Sequence, residues 1–530
     1  MNTDPPQAVV NDDDADLARL GYRHELRRTL GSFSTFAISF GTISVLAGVF
    51  TAFGLGYAFA GPTVFWVWIV VFAFQLCVAL VFAELAGYFP LAGSAYQWAK
   101  QIATPGWGWA AGWLYITALF AGQASLGSAI QQVLTSISSG FELVGSQVPG
   151  IFDANFAKNS LILGVVMYVI TTVVNIYGVK VLTRVANAIV LLEFAGLVMA
   201  VIVMLLHVTN GPGVVTNSLG VGTGQSWGLF GALLIGAFLP LFTFFGFDNA
   251  ASMAEETDQP RKRGPQALLR AYIASGVLGT ILIFVALLAI PKLTDPNISG
   301  LGLSYVVNAV TGSVASKILL ADVALALVGA AAAGQALLTR LIFGMARDNQ
   351  LPFAHVLSSV SERRRVPVAA TLVAGIVPML IMLLGLVNTK LFQAVVSIAL
   401  ILVYLAYLCV TVPTLRRRLS GWPANETAPG GSVSLGRWGF VINAVAVLWG
   451  ATMAVNLGWP RAEFFGPAWY QQYVALFMIP AIAAVGAAYY WLRVRGKQQV
   501  LREHQPAEAA LLARAARAEG AEPVLGIEEA

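Results

Sequence analysis

Charge is scarce in this chain. Only 11% of its 530 residues are Asp, Glu, Lys or Arg, against 58% hydrophobic, and the mean hydropathy is +0.75. Soluble domains carry roughly 25% charged residues, so this composition excludes that class and marks an integral membrane protein. Histidine and cysteine are rarer still. His24, His207, His355 and His504 fall near the ends of apolar runs or in tails, with no nucleophile or metal cluster beside them, which argues against a membrane enzyme. Cys77 and Cys409 lie inside apolar runs as packing residues, so no disulfide, zinc or redox cofactor is implied. The formal charge of +5 does not call for a nucleic-acid partner, because the basic residues sit in short loops between apolar runs.

What the chain has in abundance is long apolar windows. They recur at roughly 33–58, 62–86, 106–135, 158–178, 183–207, 228–255, 267–291, 317–345, 367–388, 390–414, 437–457 and 471–493. Each is long enough to cross a bilayer as a helix, so an all-α protein with 12 transmembrane helices is expected. Alternate loops carry Lys180 and Arg184, Arg261 to Arg263, Arg363 to Arg365 and Arg416 to Arg418, whereas the loops between hold little beyond Lys158, Lys292, Lys317, Lys390 and Arg461. The positive-inside rule then places both termini in the cytoplasm. No basic segment followed by an apolar one precedes the first window, so no cleavable signal is expected. Residues Gly21–Phe33 read either as a short basic amphipathic helix on the inner leaflet or as a solvated leader. The tail after Arg495 favours an exposed helix of alternating charge, and Asn297 and Asn425 match a glycosylation pattern too common to carry weight.

Two windows are interrupted by glycine. The first holds Ile43–Gly56 (ISVLAGVFTAFGLG), and the sixth ends in Phe244–Thr257 (FFGFDNAASMAEET), where a glycine and acidic residues follow an apolar run. Irregular backbone at membrane depth is tolerated only where it is buried in protein or lines a polar cavity. Broken helices opening each of two successive groups of five spans point to an inverted repeat around a solute site. Free amides of one half-helix suit a carboxylate and free carbonyls of the other suit an ammonium, so a zwitterion matches. Close packing of Gly48, Gly54 and Gly246 against neighbouring helices is the alternative.

The motifs SVLAGVF (Ser44–Phe50), AELAGYFPLAGSAYQWA (Ala83–Ala99), FFGFDNAASMAEET and ARDNQLPF (Ala346–Phe353) occur in that order. With them the chain resembles the amino acid-polyamine-organocation superfamily, over most of residues 21–495, and more narrowly its amino acid/choline transporter branch. The resemblance implies a LeuT-type fold, a 5+5 inverted repeat with broken helices 1 and 6 and two further C-terminal helices. The domain plan that follows is a tail 1–30, a ten-helix core 31–415, a loop 416–436, helices 11–12 over 437–495 and a tail 496–530. It implies a central site in which the backbone of Ser44, Val45, Leu46, Ala47 and Gly48 receives a substrate carboxylate. Phe242, Thr243, Phe244, Gly246 and Phe247 would supply carbonyls for the amine and aromatic cover, with Phe242 as an occluding gate. The superfamily's small-residue triplet reads Leu46-Ala47-Gly48 here, so Leu46 either narrows the site or turns away from it.

Glu193 lies nine residues from Arg184, about 13 Å into the membrane at 1.5 Å per residue. A carboxylate at that depth is costly as an anion and is a candidate proton carrier. Some related permeases place a lysine here, and the sign is reversed in this chain. Asp248 is expected nearby, where the two carboxylates would share a proton or attract a substrate cation, and it also reads as a cap for the second half of the broken helix; the alternative for Glu193 is a protonated side chain hydrogen-bonded to a neighbouring helix. Glu255, Glu256 and Arg340 read either as an inner gate or as solvated helix ends, and Asp322 as a wet residue near the outer end of span eight. Sodium coupling would ask for oxygen ligands in span eight, and Val328–Leu338 carries no hydroxyl. The expected activity is therefore secondary transport of an amino acid or amine such as 4-aminobutyrate across the cell membrane by alternating access, with protons as the coupling partner or by exchange. Choline or polyamine transport, with Phe242, Phe244 and Phe247 as an aromatic cage, and a solute-sensing role remain alternatives.

Overall fold

The computed structural model describes residues 12–145, 153–223, 227–311, 313–387, 389–423, 432–466 and 468–497. The Asn425 motif and most of the C-terminal tail lie outside these segments. Among the described residues every regular element is helical, apart from a single bridge between Leu30 and Thr257.

A short α1 (Asp12–Arg19) leads to α2 (Ser32–Ile43) and α3 (Val45–Ala60), which are one apolar helix interrupted at Ser44, and then to α4 (Val64–Tyr88). The apolar run Ser32–Tyr88 is 57 residues, about 85 Å if straight, far beyond a bilayer of roughly 30 Å. It turns back at Gly61, whose φ of +55° suits glycine. There follow α5 (Ser94–Ile102), α6 (Pro105–Ile137), α7 (Ala154–Ile176) and α8 (Val179–Leu206). The second interrupted stretch comprises α9 (Gly228–Gly236), α10 (Phe238–Thr243) and α11 (Asn249–Ser252). Beyond it lie α12 (Pro260–Ala289), the short α13 (Asn297–Leu301) and α14 (Leu303–Val310), and α15 (Ser313–Arg347). The chain continues through α16 (Ala354–Leu357), α17 (Val368–Val387), α18 (Thr389–Leu419) and α19 (Gly439–Gly458), then α20 (Ala462–Phe465), α21 (Trp469–Gln472) and α22 (Val474–Tyr489).

Ten of these helical runs are long and apolar enough to cross a membrane, and Gly228–Thr243 is a shorter apolar stretch. Each apolar window of the sequence coincides with a helical element to within several residues. The molecule is a multi-pass helical membrane protein. The amphipathic α5 and the small helices α13 and α14 lie in connections that hydropathy leaves blank.

Close approach is bought with small residues. Gly276 and Gly279 of α12 face Phe72 and Trp68 of α4, where an added Cβ would run into either ring, and the Trp68 indole donates to the Gly276 carbonyl at 3.2 Å. The apolar core is continuous through α2, α3, α4, α6, α10, α12, α15 and α18.

The segment after α1 corrects one expectation. Residues 23–29 form no helix. They run as an extended strap with Tyr22, Leu26 and Leu30 buried, and Thr29 and Leu30 donate their amides to the Glu256 carbonyl at 2.9 and 3.0 Å. Side chains buried on protein leave no apolar face to lie on lipid.

Candidate functional site

The two helix interruptions face each other. Gly246, in the gap between α10 and α11, has a left-handed φ of +76°, and a Cβ there would stand 2.7 Å from Cγ2 of Thr42. Reciprocally, a Cβ on Gly48 would stand 3.0 Å from Thr243. Ser39 donates to the Phe247 carbonyl at 2.7 Å, and Asn249 Nδ2 donates to Thr42 Oγ1 at 2.6 Å and to the Ala333 carbonyl at 2.8 Å. Both halves of the first interrupted helix therefore touch the second, and Asn249 ties the pair to α15.

Glu193 reaches the first interruption from α8. Its Oε1 accepts from the Ser44 hydroxyl at 3.0 Å and from the Leu46 amide at 3.1 Å. A helix N-terminus attracts anions through its unpaired amides. The backbone expected to receive a substrate carboxylate is thus held by a carboxylate of the protein, and the Leu46 side chain is fully buried in the core. Glu193 is 2% exposed, and its Oε2 has no hydrogen-bond partner.

Asp248 belongs to a different network. Its Oδ1 accepts from Tyr115 at 2.7 Å and Tyr407 at 3.0 Å, and its Oδ2 from Ser94 at 2.6 Å. Tyr407 also accepts the Gly246 amide at 3.1 Å. Asp248 stands at the N-cap position of α11 but makes no side-chain cap bond, which corrects the capping expectation. None of its hydrogen-bond partners is shared with Glu193. Asp322 is not simply wet, because its Oδ2 is buried without a partner.

The aromatic residues divide. Phe242 is half-buried and packs on Phe238 and Phe245, with ring centroids 5.8 and 5.9 Å away. Phe244 is fully buried against Trp68 and Tyr272, and Phe247 against Tyr272 and Tyr407. The three do not form one cage, which corrects that expectation. Phe244 is a core residue.

At the end of the molecule holding the strap, Arg340 pairs with Glu256 at 2.8 Å and Arg347 with Glu255 at 2.7 Å, all four buried. These are not solvated helix ends. Asp348 accepts from Tyr22 at 2.9 Å, Tyr96 at 2.6 Å and Lys100 at 2.7 Å, and the Arg347 guanidinium lies 4.1 Å from the Tyr22 ring centroid.

Sequence reasoning passed over Thr42, Ser94, Tyr115, Asn249, Arg347 and Tyr407. A tyrosine in an apolar helix must find a partner for its hydroxyl, and that signal was available at Tyr115 and Tyr407.

Interrupted helices that face each other beside a buried carboxylate are the habit of secondary transporters. The amino acid permease family model matches residues 30–483, and the chain belongs to that family, within the amino acid-polyamine-organocation superfamily; it is a transporter, not an enzyme. It is 28% identical to amino-acid permease BAT1 of Arabidopsis thaliana over 475 residues, covering 86% of this chain and 90% of that one. A homolog of that permease in Oryza sativa subsp. japonica is also 28% identical, over 84% of this chain and 87% of its own length. Amino-acid permease 2 of Neurospora crassa is 25% identical over 86% and 83%.

Proposed function

We propose that this protein is a secondary transporter of an amino acid or related amine such as 4-aminobutyrate, proton-coupled or exchanging, working by alternating access in the cell membrane with both termini cytoplasmic. The twelve helical windows and the facing interruptions support a LeuT-type 5+5 arrangement over 31–415, with a cytoplasmic loop 416–436, two further spans over 437–495 and terminal tails 1–30 and 496–530. The basic loops and the strap support the orientation.

The observation that carries this reading is the hold of Glu193 on Ser44 and Leu46. A substrate carboxylate needs the same amides. Two anions cannot share one helix terminus, so Glu193 must be neutralised or displaced before substrate settles there. Protonation does this: a neutral carboxyl competes poorly for the amide, and the vacated terminus attracts the substrate anion. Proton binding and amino acid binding are then coupled through one small region of backbone. The amine faces the carbonyls around Phe242–Gly246, and Phe242, the half-buried aromatic of the stretch, closes over it.

A thermal-shift panel of α-amino acids, 4-aminobutyrate, polyamines and choline on purified protein tests the reading, because a ligand of the folded state raises Tm. An amino acid should stabilise, and more strongly at lower pH. Stabilisation by polyamines or choline alone, growing with pH, would instead make Glu193 a receptor for a substrate cation, a reading favoured by its unpaired Oε2.

A further inference from the structure

Asp322 enters α8 at a position prepared for it. Gly196 lies three residues beyond Glu193 and so on the same face one turn along, and a Cβ there would collide with Asp322 Oδ2. Only the missing side chain lets the carboxylate reach the α8–α15 seam. There its Oδ2 is buried and without a partner, as is Oε2 of Glu193. The two carboxylates thus have an unpaired oxygen each at one seam.

Among the described residues no cation is seen paired with either carboxylate. The sequence of α2 has no ionisable side chain, and α3 supplies only Tyr57. On α8 itself Lys180 and Arg184 are exposed, and α6 carries no charged side chain; on α7, Lys158 is exposed; on α12, Arg261 to Arg263 lie in the first turn and Arg270 is exposed; on α14, Tyr305 is engaged by Asp295 at 2.7 Å. On α15 itself Lys317 is exposed, and α17 has no ionisable side chain. Ile318 and Leu325, one turn either side of Asp322, are 56% and 45% exposed, so the seam opens beside apolar surface rather than beside charge. Two unpaired carboxylate oxygens in apolar surroundings are costly unless something binds them. A hard metal cation takes about six oxygens, and this seam offers two unpaired ones. A proton needs no cavity, and two carboxylates one turn apart hold one proton in preference to two like charges.

We propose that Asp322 and Glu193 form a two-carboxylate site holding one exchangeable proton, with Asp322 the second proton-binding residue of the transporter. The inference rests on the proton-coupled reading of Glu193 and names the group with which it shares the proton. While the proton lies on Glu193, the grip on Leu46 is weak and substrate can enter. When it lies on Asp322 or is released to water, Glu193 returns to the helix terminus.

The test needs no substrate. Infrared difference spectra of purified protein between acid and alkaline pH report buried carboxyl groups through the C=O stretch of the protonated form, and Glu193→Gln identifies the Glu193 band. In Asp322→Asn the pH at which that band disappears should shift by about one unit or more. Gly196→Ala should give a comparable shift with both carboxylates retained, because it drives Asp322 off the seam. It also serves if Asp322→Asn does not fold. Titration of the Glu193 band at the wild-type pH in either variant overturns the proposal. A parallel measurement in proteoliposomes separates it from the transport reading: one coupled proton accumulates substrate up to about tenfold per unit of imposed pH gradient. Absence of accumulation of any labelled amino acid by wild type, alongside the infrared shift, would remove proton-coupled amino acid transport and leave the carboxylate pair standing.

Discussion

Glu193 and Leu46 meet at the first helix interruption, where the carboxylate of one accepts the backbone amide of the other at 3.1 Å. An anion at a helix terminus is stabilised by about 0.3–2 kcal/mol, an amount that a single protonation can cancel. The contact is therefore strong enough to hold the resting state and weak enough to be exchanged for a substrate carboxylate.

Glu193→Gln keeps the size and an amide oxygen able to accept from Leu46, but it cannot titrate. Reconstituted variant protein should lose accumulation driven by an imposed pH gradient while exchanging labelled substrate, since exchange moves the loaded carrier with no net proton flux. Accumulation with wild-type proton stoichiometry would end the assignment. Loss of binding altogether would make Glu193 the partner of a substrate cation.

Gly246→Leu places a side chain on left-handed backbone, at a cost of about 1–2 kcal/mol, and aims its Cβ at Thr42. The penalty is too small to prevent insertion but falls where the two interruptions meet. Protein should reach the membrane in normal amount with uptake of labelled amino acid abolished. Near-normal uptake would show that the interruption is only a packing feature.

The spans and both interruptions were legible in the sequence because hydropathy and glycine act locally: twenty apolar residues must be helical in lipid, and Gly246 can adopt a backbone that few other residues accept. The partners of the charges were not legible. Glu193 and Asp248 are both buried acids of the core, yet one meets Leu46 and the other Tyr115, Tyr407 and Ser94, a choice set by how helices far apart in sequence rotate against one another. The buried Oδ2 of Asp322 was missed for the same reason. Its burial depends on Gly196, more than a hundred residues earlier, and nothing around Asp322 itself announces it.

Phe242 and Phe244 are two residues apart and should separate cleanly. Phe244→Ala removes a fully buried ring packed on Trp68 and Tyr272, which typically costs about 3–5 kcal/mol, so Tm should fall. Phe242→Ala removes a half-buried ring and should leave Tm nearly unchanged while slowing uptake more than it weakens ligand binding, through loss of occlusion. Equal losses of uptake and binding in Phe242→Ala would return that residue to a packing role.

Arg347 makes two contacts with Glu255, at 2.7 and 2.9 Å, and its guanidinium lies over Tyr22 of the strap. Removing one member of a buried ion pair strands the other charge, at about 3–5 kcal/mol, whereas replacing both with apolar groups of similar size is often neutral. Arg347→Ala should therefore lower Tm sharply, and Arg347→Met combined with Glu255→Leu should recover most of the loss. If the pair also latches this end shut, the stable double variant should still differ from wild type in one respect. In a Leu26→Cys background, this otherwise buried strap position should react faster with a water-soluble maleimide in the double variant, because the Tyr22 ring has lost the cation that holds it. Unchanged labelling in a double variant of normal Tm would make the pair structural and leave closure of this end to Glu256 and Arg340.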